Sequence, residues 1–253
     1  MWPYLFQNND IVIPTYLFIN SIAFSIAIYW AYARAKERNF EVNQVLDLAL
    51  AIMLGGFVGS RTFHILFEHP EIYFAHPNLI FKFWLGGFVY YGGMLGSLLL
   101  AFLLCRIRKY DFLKLADLVA PVLALGYAIG RTGCLAAGCC FGKATTVPWA
   151  IHFPPNVEAP PLIGIHPTQI YSSVWELIVL GILLRVEKNP SKVSGRVFGL
   201  WMVLHSLGRG VIEQFRDDFR GPMLLHLSIS TWLSAAVLVF GIWLLRAPQS
   251  KKV

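Results

Sequence analysis

Three arginines, Arg61, Arg131 and Arg209, stand inside long apolar stretches of the chain, where a charge is costly and usually marks a site or a pathway. The guanidinium group presents a planar fork of N–H donors that matches phosphate in a bidentate way. Glu213 follows Arg209 by four residues and Arg216 follows Glu213 by three, spacings that put all of them on one helix face. Arg61 and His64 share a face in the same way. A carboxylate so placed holds one arginine and leaves another for a ligand. Snorkelling to the interface explains a single arginine. Three of them with a companion glutamate favour a shared polar cavity, suited to the head group of an anionic phospholipid.

Sulfur and glycine make up a second group. Cys134, Cys139 and Cys140 fall within seven residues, just after Arg131. Four readings are open for them. They are small packing residues, a disulfide on an oxidising side of the membrane, a nucleophile whose thiolate Arg131 favours, or metal ligands. Adjacent Cys139-Cys140 matches no standard zinc spacing, so no metal is expected. Gly86-Gly87 and Gly92-Gly93 flank Tyr90 and Tyr91. Such pairs weaken a membrane helix and permit close helix approach or a local break, and the phenols offer a hydrogen-bond donor or weak acid.

These side chains need elements to hold them. The 253 residues are 57% hydrophobic and 14% charged, with a mean hydropathy of +0.59. A soluble domain carries about 25% charged residues, so soluble enzymes, disordered chains and disulfide scaffolds are poor fits. The composition predicts an all-α, polytopic membrane protein forming a single integral-membrane domain over 1–253. Seven stretches long enough for a span lie at roughly 12–33, 46–67, 79–104, 115–137, 170–185, 197–215 and 224–245. No small-residue cleavage site follows the first, which is read as a retained anchor.

Fourteen of the 21 Lys and Arg fall in the tail and in the loops after spans one, three and five, against three on the other side. That bias puts the N-terminus outside and the C-terminus in the cytoplasm. The net charge of +7 then reflects cytoplasmic loops, not a nucleic-acid partner. At about 1.5 Å per residue, Arg61, Arg131 and Arg209 lie roughly 18–24 Å along their spans from the inner end, in the outer half of a core about 30 Å thick. The outward loop 138–169 holds Pro148, Pro154, Pro155, Pro160, Pro161 and Pro167 with Trp149, Ile151, Phe153, Leu162 and Ile163. It is too broken for helix and too apolar for a free linker, so it is expected to lie on the membrane surface or over a site.

The chain resembles the bacterial prolipoprotein diacylglyceryl transferases. The similar stretches are Gly59-Ser60-Arg61 with Leu66-Phe67, Trp84 to Gly93, Gly130-Arg131-Thr132-Gly133, His166-Pro167-Thr168-Gln169-Ile170-Tyr171, and Arg209 with Glu213, Arg216 and Asp217. The resemblance implies transfer of a diacylglyceryl group from phosphatidylglycerol to the lipobox cysteine of a preprolipoprotein. Glycerol phosphate leaves, and the setting is the bacterial cytoplasmic membrane. It implies that Arg131 and Arg209 bind the phosphate and stabilise its leaving charge. Arg61 is then a further head-group or framework contact, Glu213 orients arginines, and His166 with Gln169 shapes the mouth. No metal or organic cofactor is expected, and the partners are phosphatidylglycerol, the lipobox segment and membrane lipids.

The sequence departs from the family pattern at two places. Tyr91 stands where the family usually has a histidine, and Cys134, Ala137 and Cys139 stand where asparagines and an acidic residue are usual. Tyr91 and Cys139 are therefore counted with Arg131 and Arg209 as candidate catalytic groups, and Arg61, Arg131, Arg209, Glu213, Arg216, His166 and Gln169 as substrate-binding. The alternatives are a paralogue with another acceptor and a non-catalytic binder or carrier of anionic lipid.

Overall fold

Helix dominates because a backbone in hydrocarbon must satisfy its own N–H and C=O groups. The computed structural model describes residues 3–8, 12–68, 70–82, 87–188, 194–218, 223–224 and 227–246. Trp84, Leu85 and Gly86 of the glycine-rich motif lie outside the described residues. A hairpin of β1 (Tyr4–Gln7) and β2 (Val12–Pro14) leads into α1 (Thr15–Glu37). Then come α2 (Val42–Phe63), a π-helical turn (His64–Glu68), α3 (Pro70–Ala75) and a 3-10 turn (Pro77–Phe81). After α4 (Tyr90–Arg108) and α5 (Phe112–Ala137), β3 (Ile151–His152) pairs antiparallel with β4 (Gly164–Ile165). The rest is α6 (Thr168–Glu187), α7 (Arg196–Glu213), a short hairpin of β5 (Met223–Leu224) and β6 (Leu227–Ser228), and α8 (Ile229–Arg246).

Among the described residues six helices, α1, α2, α4, α5, α6 and α8, are long and apolar enough to cross a membrane. The protein is an all-α, multi-pass membrane protein. The remaining expected span, 197–215, forms a helix, α7, but is not one of those six: its 18 residues include Arg196, Arg209 and Glu213. The expected third span, 79–104, is shorter than its apolar run. Helix begins only at Tyr90, after a 3-10 turn, Gly87 at φ 83 and an extended Val89. Tyr90 and Tyr91 therefore open a helix and do not sit inside one. A Cβ on Gly87 would lie 2.4 Å from the His64 ring, so the break needs glycine for both its conformation and its room.

The chain divides into two compact units, Tyr32–Leu115 and the pair of segments Met1–Ala31 and Ala116–Val253. In the first, α2 and α4 meet backbone to backbone. A Cβ at Gly59 would stand 2.3 Å from the Gly92 carbonyl oxygen, and one at Gly96 only 2.2 Å from that of Gly55. Small residues allow this approach, as in other membrane helix pairs, and Ser97 Oγ donates to the Ile52 carbonyl at 2.8 Å.

The second unit is built on α5. Ala120 and Ala124 pack with Val179 and Leu183 of α6, backed by Trp175, Trp201 and Leu204. Asp117 accepts from the backbone N–H groups of Gly195 (2.6 Å) and Phe198 (2.8 Å). A carboxylate of α5 thus caps the N-terminus of α7, where free N–H groups and the helix dipole favour negative charge. Gly130 and Gly133 make room for Asn20 of α1, whose side chain would lie 3.2–3.3 Å from a Cβ at either position. The proline-rich stretch 138–169 is folded. Phe141, Phe153, Ala159 and Ile165 form a small core with Leu135, Ile151 and Val157, and bridges join Gly142 to Arg216, Ala144 to Ile165 and Phe153 to Pro161.

Candidate functional site

Arg131, on the last turns of α5, and Arg209, on α7, belong to the same unit. Arg131 Nη2 donates to the hydroxyl of Tyr127 one turn earlier, and its guanidinium lies 4.6 Å over that ring. Its Nη1 reaches Cys134 Sγ at 4.0 Å. Tyr127 then turns its ring to His205, edge to face at 4.9 Å, and lines a cavity with Ser172, Trp175, Glu176, His205, Arg209 and Ile212. The two arginines thus flank one tyrosine, and the charges of Arg131 and Arg216 both act on Arg209.

Arg209 is held by Glu213 Oε2 and by Ser230 Oγ, at 2.8 and 2.7 Å from Nη2. Ser228 Oγ in turn donates to Glu213 Oε1 at 2.6 Å. Arg209 Nη1, though buried, has no hydrogen-bond partner among the described residues. A buried donor without an acceptor is costly, and an anion is the acceptor that satisfies a guanidinium N–H most strongly. Arg216 does not extend this face. Helix α7 ends at Glu213, Arg216 bridges to Gly142, and its guanidinium is taken bidentately by Asp218 at 2.8 and 2.5 Å. Burial works against the Arg216 charge and the Asp218 hydrogen bonds outweigh it, so its pKa rises.

The three sulfur atoms of Cys134, Cys139 and Cys140 lie within 4.8 Å of one another, and all three cysteines are free thiols. Their turn is fixed from the start of α6: Thr168 Oγ1 donates to the Cys140 carbonyl at 2.6 Å and Gln169 Nε2 to the Cys139 carbonyl at 2.7 Å. Gln169 is 1% exposed and its Oε1 has no partner among the described residues. Cys140 adopts φ 59, a left-handed conformation that costs a non-glycine residue about 1–3 kcal/mol. Its thiol is drawn well below the usual range by hydrogen bonds from Cys134 and Cys139 and by the Arg131 and Arg216 charges. Cys139 is pushed up by its hydrogen bonds to the other two sulfurs and by burial. Nearby, His166 Nδ1 and Tyr171 OH lie 3.1 Å apart, Trp149 Nε1 donates to the same hydroxyl at 2.8 Å, and Phe215 packs edge-on to both rings.

Arg61 and Tyr91 belong to the other unit. Arg61 is 7% exposed and donates to the carbonyls of Leu79 (2.7 Å), Gly87 (3.3 Å) and Ile80 (3.4 Å), with its guanidinium 5.2 Å from the Tyr73 ring. It ties the interrupted stretch before α4 to the end of α2, the contact of a framework cation. Tyr91 is half-buried on the first turn of α4.

A family profile described as prolipoprotein diacylglyceryl transferase matches residues 3–247. The chain belongs to that family. It is 32% identical over 252 residues to the phosphatidylglycerol–prolipoprotein diacylglyceryl transferase of Clostridium tetani (strain Massachusetts / E88), covering 100% of both chains. Against the protein named phosphatidylglycerol–prolipoprotein diacylglyceryl transferase 2 in Clostridium perfringens (strain 13 / Type A) it is 35% identical, over 92% of this chain and 90% of the relative. A transferase of the same name from Polynucleobacter asymbioticus is 38% identical, over 84% of this chain and 81% of that one.

Several polar residues of the site carry little or no signal in the sequence. Glu176, 1% exposed, accepts from His205 Nδ1 at 2.6 Å and from Trp201 Nε1 at 3.4 Å. Both residues fall inside apolar stretches, so the rule that picks out buried arginines, extended to carboxylates and histidines, finds them. Tyr127, Ser228, Ser230 and Asp218 carry no such signal, because each matters only through the partner the fold supplies.

Proposed function

We propose that this chain transfers the diacylglyceryl group of phosphatidylglycerol to a prolipoprotein, with the lipobox cysteine thiol as acceptor. The acceptor thiol loses its proton to water, and its sulfur forms a bond to the glyceryl carbon as the bond from that carbon to the phosphate oxygen breaks. Glycerol phosphate departs, carrying the charge that develops on its ester oxygen. The observation that supports this chemistry best is Arg209, whose Nη2 is fixed by Glu213 and Ser230 while Nη1 is buried without a partner among the described residues. A fixed cation aimed at a departing phosphate stabilises the transition state more than the ground state. Arg131, held by Tyr127, is the second cation on the phosphate. Glu213 orients Arg209, and His205 with Glu176 keeps the Tyr127 ring in place. His166, Gln169 and the folded stretch 138–169 form the mouth through which the acceptor segment enters. The site works in the outer half of the bacterial cytoplasmic membrane.

The test is complementation of a bacterium depleted of its own diacylglyceryl transferase. Expression of this chain is expected to restore lipid modification of a reporter lipoprotein, and Arg209→Ala to accumulate in the membrane without restoring it. A chain that accumulates and binds phosphatidylglycerol yet leaves the reporter unmodified would instead be a lipid binder.

A further inference from the structure

The converging sulfurs of Cys134, Cys139 and Cys140 have no task in the phosphate chemistry above, and they lie directly against it. Their spacing in sequence matches no standard zinc pattern, because two of them are adjacent. The fold nonetheless brings all three Sγ atoms within 4.8 Å. Three sulfurs bound at about 2.3 Å to one tetrahedral zinc stand roughly 3.8 Å apart, so a contraction of about an ångström closes the set.

We propose that Cys134, Cys139 and Cys140 bind one Zn²⁺ ion through three thiolates, with the fourth position open to the thiol of the acceptor cysteine. This rests on the diacylglyceryl-transferase reading for its fourth ligand, but not for the metal site itself. Three features of the cluster support it. The turn is rigid, with both cysteine carbonyls pinned by Thr168 and Gln169 and Cys140 in a left-handed conformation that the surroundings must enforce. The charge is complementary: zinc with three thiolates carries one net negative charge, and the cations that act on the cluster are Arg131 and Arg216. The buried Gln169 Oε1, on the side chain that pins the Cys139 carbonyl, has no partner of its own among the described residues, a polar group beside the turn that the fold leaves unsatisfied.

The ion answers a chemical need of this reaction. A thiol is a weak nucleophile until it loses its proton, and a coordinated thiol is deprotonated outright. Catalytic zinc sites typically keep three protein ligands and one exchangeable position. The acceptor S–H bond would break on coordination, with its proton passing to water. The zinc-bound sulfur would then form the S–C bond as the C–O bond breaks, the departing glycerol phosphate would take up a proton, and the thioether would leave the metal. No oxidant or reductant is needed.

The full-length protein, purified in detergent with a reductant and without chelator, is given Zn²⁺ alone, desalted, and assayed for metal and by zinc-edge X-ray absorption. The expected result is about one zinc per chain, with three sulfurs at about 2.3 Å. A fourth sulfur should appear on adding a lipobox peptide, and none on adding the peptide with serine in place of its cysteine. Cys139→Ser and Cys134→Ser should each lose the zinc. If Cys134→Ser does not accumulate, Cys139→Ser, at a less buried position, carries the comparison. Protein that retains less than about a tenth of a zinc per chain, or whose mass is lower by two hydrogens from a disulfide within the cluster, overturns the proposal. Transfer of diacylglyceryl by zinc-free protein overturns the metal's role and leaves the transferase reading intact. Zinc on three sulfurs in a protein that transfers nothing leaves the metal site standing and sinks the transferase reading.

Discussion

Replacing Glu213 by glutamine separates orientation of Arg209 from the mere presence of its charge. In the native protein Glu213 Oε2 stands 2.8 Å from Arg209 Nη2, with the two side chains 7% and 12% exposed, and Ser228 fixes the other carboxylate oxygen at 2.6 Å. Glutamine preserves the shape and can keep its carbonyl on Ser228, but it then turns an NH₂ toward the guanidinium. A hydrogen bond to a charged partner is worth about 1.5–3 kcal/mol, whereas truncating one member of a buried pair costs about 3–5 kcal/mol. Because the amide fills the same space, the lower range applies. Spent on orienting Arg209, it corresponds to a fall of roughly 10–100-fold in kcat/KM. The loss should lie mainly in kcat, since charge on the departing phosphate grows toward the transition state. The assay follows glycerol phosphate released from phosphatidylglycerol in mixed micelles with a lipobox peptide, alongside the thermal midpoint of the same preparation. A Glu213→Gln enzyme within twofold of wild type, or one with KM raised and kcat unchanged, would refute the assigned role.

Other consequences follow from particular contacts. Gly96→Val drives a side chain into the Gly55 carbonyl, 2.2 Å from where its Cβ must sit, and should sharply lower accumulation in the membrane. Gly126→Ala, whose Cβ would meet Ala27 at an ordinary 3.9 Å, should leave accumulation unchanged, and equal levels of the two variants would contradict the packing account. His205→Ala removes the 2.6 Å partner of the buried Glu176 carboxyl and leaves it Trp201 alone, a loss of about 1–3 kcal/mol. That should appear as a lowered thermal midpoint, partly recovered in the double variant with Glu176→Leu; no recovery would mean that the pair is not the origin of the loss. Glu158 has its pKa raised by partial burial and by the Asp218 and Cys140 charges. The folded state therefore holds that proton more tightly than the unfolded one, and the contribution to stability, full below the ordinary carboxylate value, is lost as pH rises from there through the raised folded one. Glu158→Gln should remove a shallow decline of the midpoint between acid and neutral pH, and identical pH profiles would contradict it. The effect is small because the group is exposed.

Much of the fold was legible because the membrane simplifies the problem. A backbone that must satisfy itself is helical wherever a long apolar run occurs, and α1, α2, α5, α6 and α8 lie close to the runs that predict them. The third run misled at its start, where apolar residues alone suggest helix from residue 79. The geometry of Gly87 and the carbonyls that hold Arg61 set the true start at Tyr90. At the site, depth and residue type singled out Arg61, Arg131 and Arg209; in the structure Arg131 and Arg209 both lie beside Tyr127, whereas Arg61 belongs to the other unit and holds backbone carbonyls there. Arg216 was placed on the helix face of Arg209 and Glu213 by spacing alone, but α7 ends before it and Asp218 claims it. The convergence of the three cysteines was hidden for the opposite reason: a tight left-handed turn at Cys140 lets adjacent residues reach one point, which a spacing rule derived from other folds does not anticipate. Partners such as Tyr127 and Ser230 are ordinary residues in sequence and become functional only through the arginines they hold.

The central claim is diacylglyceryl transfer to a cysteine thiol, and the most direct measurement is the mass of the acceptor. Purified protein is incubated with phosphatidylglycerol of defined acyl chains and a lipobox peptide, and the peptide is analysed intact. The account predicts a peptide heavier by one diacylglyceryl group on its cysteine, in step with glycerol phosphate release, and no product with Arg131→Ala or Arg209→Ala. An unmodified peptide, with phosphatidylglycerol intact and the protein folded, would contradict it.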